Sequence, residues 1–154
     1  MSFKLAFNHL GMLAVALCLG GLAIIGEYAW LRLQPVDAYF HYDTMRITSA
    51  PASGPLEFIS AVQYFKSVDM HWRDTLYCDL LDGNGFRNVS VLESSANSVG
   101  PTQGDGPRER AWTYTAIVPS RPAVCYLRST PTAELRYGIR KTQIIVTDTF
   151  RLAT

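Results

Sequence analysis

The sequence predicts a mainly β fold in which a single N-terminal transmembrane helix precedes a roughly seven-stranded antiparallel β-sandwich. The helix is predicted by Leu10–Gly26, an apolar run without a charged residue. The sandwich is predicted by the segments that follow, which are short, alternate in polarity and are rich in β-branched and aromatic residues. Gly, Pro, Ser and Asn separate them, and this pattern is typical of an all-β sandwich or barrel.

The apolar run is long enough to cross a bilayer once its flanks are included, because about 20 apolar residues span a hydrocarbon core of about 30 Å. Tyr28 and Trp30 follow the run, where aromatic rings are enriched at the membrane interface. A cleaved signal peptide is the alternative, but its small-x-small site is poor, because Gly21-Leu22-Ala23 fits by residue size and lies inside the apolar run. We therefore predict an uncleaved signal anchor that contacts the lipid bilayer.

The predicted domain organisation follows from this anchor. It consists of a cytoplasmic tail (1–9), a transmembrane signal anchor (10–31), a linker (32–36) and an extracytoplasmic β-sandwich domain (37–154). Lys4 favours a cytoplasmic amino terminus, because Lys and Arg residues are retained on that side of the membrane. The C-terminal domain is then expected in the periplasm or outside the cell.

Seven strands are predicted, in the order 38–47, 56–68, 71–81, 86–94, 111–118, 124–128 and 142–150. The turn Asp82–Gly85 joins the third and fourth strands in the clearest hairpin of the chain. The Gly- and Pro-rich residues 96–110 are predicted to form a long loop, and residues 128–138 a connection with room for a short strand or turn of its own. On the last strand, Ile144, Val146 and Phe150 are expected to share the buried face.

The strand count matches immunoglobulin-like and fibronectin-type sandwiches, but only as an architecture. A true immunoglobulin domain has its first cysteine and its tryptophan on different strands, whereas Trp72 and Cys78 share one predicted strand here. Cys78 and Cys125 both lie in strand-like segments, and in an oxidising compartment they are predicted to form a disulfide. Two buried free thiols are the alternative, and Cys18 is expected to pack within the anchor.

Composition and spacing exclude several classes of function. Residues 36–154 carry equal numbers of basic and acidic side chains without a basic stripe, so nucleic-acid binding is not expected. No His or Cys pair has zinc-ligand spacing, and Ser90 stands where a calcium loop starting at Asp79 would need Glu. Asp69, His71 and Arg73 fall on one solvated strand face. No catalytic residue, metal or cofactor is predicted, and Asp74 is assigned to the surface.

Aromatic and basic side chains are the one feature that points to binding, because Tyr and Arg are enriched at protein interfaces. The predicted interaction surface comprises Tyr39, Tyr64, Tyr77, Tyr126, Arg108 and Arg110. We expect it to contact a protein partner. In the anchor, Ala16 and Gly20 have the small-xxx-small spacing that lets two helices approach closely, so a homo-oligomer is a further expectation.

These observations favour a non-catalytic structural or protein-interaction module. In its small size, short tail and lack of motifs, the chain resembles accessory envelope proteins of bacteria and small membrane proteins carried by phages. The resemblance is one of architecture only. One alternative is a small-ligand receptor with a pocket near loop 96–110. Another is a hydrolase in which His71 or His41 lies within hydrogen-bond distance of both a carboxylate and a nucleophile.

Overall fold

The computed structural model describes residues 3–51, 55–80, 84–101, 106–115 and 123–152, with the backbone alone over residues 3–10. The chain divides into two compact units, Met1–Gln34 and Pro35–Thr154. The first unit is helical and the second is built from β-strands. The predicted mainly β chain with one N-terminal apolar helix is confirmed.

Helix α1 extends from Phe3 to Leu33. Its segment Gly11–Leu33 has 23 residues and is long and apolar enough to cross a membrane, because a rise of 1.5 Å per residue gives it a length of about 35 Å. The large apolar side chains of this segment are exposed, and Leu17 is 68% exposed. Near the end of the helix, Arg32 Nη1 donates a hydrogen bond to Tyr28 Oη at 3.0 Å.

The β domain contains two antiparallel sheets. The first sheet has the order β1–β2–β5, with β1 at Phe40–Ser49, β2 at Leu56–Tyr64 and β5 at Arg108–Tyr114. The second sheet has the order β4–β3–β6, with β3 at Val68–Asp79, β4 at Arg87–Val99 and β6 at Ala123–Glu134. Three short strands pair in turn with the outer side of β6: β7 at Arg140–Thr142, β8 at Ile145–Val146 and β9 at Phe150–Leu152. Short 3₁₀ turns occupy Val36–Ala38 and Arg136–Gly138.

The two sheets contact each other through large side chains, which makes the domain sandwich-like. The rings of Trp72 in β3 and Trp112 in β5 have centroids 5.9 Å apart. Trp72 Nε1 donates to Tyr42 Oη at 2.6 Å, and Tyr114 Oη donates to the Asp74 carbonyl at 3.2 Å. The side chains that are almost fully buried between the sheets include Phe40, Leu56, Val62, Tyr64, Met70, Leu76, Cys78, Tyr114, Cys125 and Leu127.

Alternation along the strands explains this core. In β2, Leu56, Phe58, Val62 and Tyr64 are buried on one face, as expected when successive side chains point to opposite sides of a sheet. The predicted single strand 56–68 is wrong, however. The chain leaves the first sheet after Tyr64 and enters the second at Val68, so the two apolar runs belong to different strands.

Strand β6 corrects the prediction that residues 128–138 form a connection. It continues to Glu134 through Pro131, whose carbonyl accepts a hydrogen bond from the Gln143 amide at 3.1 Å. In an antiparallel pair, the N–H and C=O of one residue point to the same neighbouring strand. An N–H at position 131 would therefore point, like the Pro131 carbonyl, to the Gln143 side of β6. Gln143 and Ile144 lie on that side between β7 and β8, outside the residues that pair in register with β6.

The interrupted ladder also changes the last predicted strand. Residues 142–150 are not one strand, and Ile144 and Val146 are 55% and 50% exposed rather than buried. Ile145 is buried instead. The Gln143 side chain turns to the first sheet and bonds to the backbone of Tyr42. Its Oε1 atom accepts a hydrogen bond from the Tyr42 backbone N–H at 3.0 Å, and its Nε2 atom donates one to the Tyr42 carbonyl at 2.8 Å. Gln143 therefore ties the edge of one sheet to the other.

The predicted loop 96–110 is shorter than expected at both ends. Strand β4 continues to Val99, which pairs with Val68 in β3, and β5 begins at Arg108, which pairs with Val62 in β2. The Asp69 carboxylate accepts a hydrogen bond from the Ser98 amide at 2.8 Å, which holds the positive φ of 52° at Ser98. Residues 102–105 lie outside the described part of the chain, as do residues 81–83 of the predicted hairpin turn. The β3–β4 hairpin pairing itself is present.

Candidate interaction surface

The disulfide fixes the strand register from which the candidate surface is built. Cys78 in β3 and Cys125 in β6 form the predicted bond, are directly opposite each other and have Cα atoms 4.1 Å apart. Both are almost fully buried. Because side chains alternate between faces, the adjacent pair, Tyr77 and Tyr126, points to the outer face of the second sheet.

Tyr77, Tyr126 and Phe86 form an aromatic cluster on this outer face, called the aromatic patch below. The Tyr77 and Tyr126 rings stack with centroids 5.0 Å apart and an interplanar angle of 13°. The Phe86 ring lies 5.1 Å from that of Tyr126 and is tilted by 58°. Phe86 is 44% exposed and both tyrosines are partly exposed, so the patch presents apolar ring surface to solvent.

A small pocket adjoins the aromatic patch on the same face. It has a volume of about 280 Å³ and is called the arginine pocket; its lining residues are Arg73, Thr75, Tyr77, Asn88, Arg128 and Thr130. Arg73 Nε lies 3.6 Å from Glu93 Oε1, and both side chains are mostly exposed. The Nε atom of Arg128 is buried and has no hydrogen-bond partner among the described residues.

A wider groove of about 510 Å³ continues beyond the arginine pocket and shares two of its residues. Its walls carry paired charges and hydroxyl groups from His71, Arg73, Glu93, Ser95, Thr130, Thr132 and Arg140. Glu134 Oε2 lies 3.1 Å from His71 Nε2 and 4.0 Å from Arg140 Nη2. The charges of the groove are therefore largely balanced, whereas the Arg128 Nε atom of the arginine pocket has no partner among the described residues.

The six predicted interaction residues do not form one surface. Tyr77 and Tyr126 lie together on the aromatic patch, but Tyr39 and Tyr64 are only 2% and 1% exposed, so their assignment to the surface is wrong. Tyr64 lies on the buried face of β2, and its hydroxyl is within 3.0 Å of Tyr42 Oη. A tyrosine can be buried when its hydroxyl has such a partner.

Arg108 and Arg110 are exposed on β5, in the first sheet rather than the second. The Arg110 guanidinium lies over the Tyr64 ring at 5.6 Å from its centroid. Sequence reasoning missed Phe86 and Arg128, which complete the candidate surface. The sequence signal for Phe86 was its place directly after the hairpin glycine, and for Arg128 its alternation with Tyr126.

The hydrolase alternative placed His71 or His41 at a reactive centre. His71 lies on the outer face, as alternation predicted, and contacts the Glu134 carboxylate. His41 Nδ1 lies 3.0 Å from Asp37 Oδ1, and both side chains are about half exposed. Among the described residues, no hydroxyl or thiol group lies within hydrogen-bond distance of either imidazole, and no three His, Cys, Asp or Glu side chains converge.

Asp74 is the most unexpected side chain of the domain. It was assigned to the surface but is only 8% exposed, because it points between the sheets from the same face of β3 as Trp72 and Leu76. Burial raises the pKa of its carboxyl group, and a hydrogen bond with Ser129 opposes that shift. Burial also raises the pKa of Tyr42. The Tyr42 hydroxyl interacts with the Tyr64 hydroxyl and with the indole N–H of Trp72. This polar network lies inside the domain and joins the sheets.

The chain matches no family model, no curated protein and no solved structure. Its candidate function therefore rests on the geometry of its own residues.

Proposed function

We propose that the protein is a membrane-anchored, non-catalytic interaction module that binds a partner protein through the outer face of its second sheet. The observation that carries this proposal is the aromatic patch beside the arginine pocket. Stacked tyrosines and an exposed Phe offer rigid apolar surface, and Arg offers directed hydrogen bonds. Aromatic rings and Arg are the residues that dominate binding energy at protein interfaces.

The anchor in this proposal is the segment Gly11–Leu33 of α1, which has the length and composition of a membrane span. The Tyr28–Arg32 pair at its end suits the interface between hydrocarbon and water, where aromatic and basic side chains are favoured. The Cys78–Cys125 disulfide supports export of the β domain, since such bonds persist in oxidising compartments. In this arrangement the amino terminus remains in the cytoplasm.

Site-specific photo-cross-linking in intact cells tests the binding surface. A photoreactive phenylalanine derivative replaces Tyr126 on the aromatic patch, or Thr113 on the exposed face of the first sheet as the matched control. We expect a covalent adduct with one membrane or envelope protein from position 126 and none from position 113. Tyr77→Ala, which removes the stacked ring, should reduce the yield of that adduct.

Two results would contradict the proposal. Equal adducts from positions 126 and 113 would show that contact is nonspecific. An adduct from position 126 that Tyr77→Ala leaves unchanged would show that the patch does not contribute to binding.

A further inference from the structure

The arginine pocket contains two guanidinium groups in diagonal positions on neighbouring strands. Arg73 is opposite Thr130 and Arg128 is opposite Thr75, so the two arginines belong to adjacent cross-strand pairs of one face. Diagonal neighbours of this kind are about 7–8 Å apart and within reach of long side chains. Both arginines line the same cavity of about 280 Å³.

The other lining groups can each donate a further hydrogen bond. Asn88 contributes an amide, Thr75 and Thr130 contribute hydroxyl groups, and no carboxylate lines the pocket among the described residues. The Glu93 carboxylate reaches Arg73 from outside the pocket at 3.6 Å. Because two like charges in one pocket repel each other, an anion between them would be stabilised by both.

The geometry of the guanidinium group specifies which anion fits. Its planar fork matches the two oxygens of a carboxylate, and such charge-assisted bonds are stronger than neutral ones. Arg128 is partly exposed, but its Nε atom is buried, so a carboxylate would meet the terminal nitrogens of this guanidinium. Tyr77 lines the pocket and stacks with Tyr126, so a group attached to the carboxylate would meet an aromatic surface.

We propose that the arginine pocket binds a carboxylate of the partner protein, presented next to an apolar or aromatic group that packs on the aromatic patch. This inference rests on the proposed function and specifies the chemistry of the partner. A carboxylate is chosen over a phosphate because Asp, Glu and the C-terminus are the ordinary anions of a protein.

The test uses the full chain in neutral maltoside micelles and three small probes. Benzoate supplies a carboxylate and a ring, benzamide supplies the ring without the charge, and inorganic phosphate supplies a different oxyanion. Binding is followed by the NMR resonance of Arg128 Nε–H and by calorimetry. We expect benzoate to shift that resonance in a saturable way, with at least about tenfold weaker binding for benzamide and for phosphate.

Variants then assign the effect to the pocket. Arg128→Gln should weaken benzoate binding at least about tenfold, and Arg128→Lys should weaken it as well, because it keeps the charge but loses the fork. Arg46→Gln is the matched control, since Arg46 is exposed on the first sheet. Its affinity for benzoate should equal that of the unmodified chain.

Three results would overturn the inference: equal binding of benzoate and benzamide, stronger binding of phosphate than of benzoate, or unchanged affinity in both Arg128 variants. The first two need no variant and so do not depend on how Arg128 affects folding. An adduct from position 126 together with any of these results would leave the proposed function standing. Benzoate binding without such an adduct would instead support the pocket and contradict the protein partner.

Discussion

Reduction of the Cys78–Cys125 disulfide should destabilise the β domain by a large and calculable amount. The bond closes a loop with a sequence separation of 47 residues, and the chain-entropy model gives about 4 kcal/mol for a loop of this length. Domains have free energies of unfolding of about 5–15 kcal/mol, so the loss is a substantial part of the total. Both sulfur atoms are buried, so reduction requires unfolding and refolding in the presence of a phosphine reductant.

The assay is urea unfolding of the full chain in maltoside micelles, followed by tryptophan fluorescence. Trp72 and Trp112 contact each other between the sheets and therefore report on the core. With a urea dependence of about 1–3 kcal/mol per molar, a loss of about 4 kcal/mol should lower the midpoint by about 1–4 M. The variant with both Cys78→Ala and Cys125→Ala should be insensitive to reductant. A midpoint that reduction leaves unchanged in the native chain would refute this reasoning.

Three further predictions concern the contacts between the sheets, and each is measured by urea unfolding. Burial raises the pKa of the Asp74 carboxyl group, so the unfolded chain loses the carboxyl proton at lower pH than the folded chain does. The free energy of unfolding should therefore fall as pH rises from about 4 through the raised pKa of the folded chain. Asp74→Asn should flatten this fall between pH 3.5 and 7.5; parallel profiles would contradict the burial of the carboxyl group. Tyr42→Phe removes the acceptor of the Trp72 indole N–H and the partner of the Tyr64 hydroxyl, and should cost about 1–3 kcal/mol. Gln143→Ala leaves the Tyr42 backbone amide and carbonyl without their side-chain partner, and should also cost about 1–3 kcal/mol. A change below about 0.5 kcal/mol in either variant would show that solvent replaces the lost bonds.

Local alternation predicted the parts of the fold that depend on one strand at a time. The outer face of His71 and Arg73 follows from a period of two, and the β3–β4 hairpin follows from the turn residues between its strands. The disulfide followed from compartment and cysteine count. None of these features requires knowledge of which strands become neighbours.

The errors arise where strand neighbours decide the outcome. Residues 56–68 carry bulky groups on both faces, and only the change of sheet after Tyr64 shows that they form two strands. Pro131 is typical of a loop, yet β6 accommodates it because the ladder on that side is interrupted at Gln143. Asp74 was assigned to the surface by its charge, but Ser129 on β6 supplies a polar neighbour inside the domain.

The candidate surface was only half predictable for the same reason. Tyr77 and Tyr126 were predicted to lie opposite the core face, and the structure places them there, but their stacking depends on the β3–β6 register. Tyr64 was misplaced because its burial depends on the hydroxyl of Tyr42 from another strand. Likewise, Arg73 and Arg128 come to line one pocket only in the folded sheet.

We propose that an uncleaved helix holds a disulfide-bonded β domain at a membrane, outside the cytoplasm. The decisive experiment is the intact mass of the protein from carbonate-washed membranes, denatured and alkylated without prior reduction. We expect a chain that retains residues 1–30 and carries one alkylated thiol, that of Cys18, with Cys78 and Cys125 still joined. A chain that begins near Ile24, or one that carries three alkylated thiols, would contradict it.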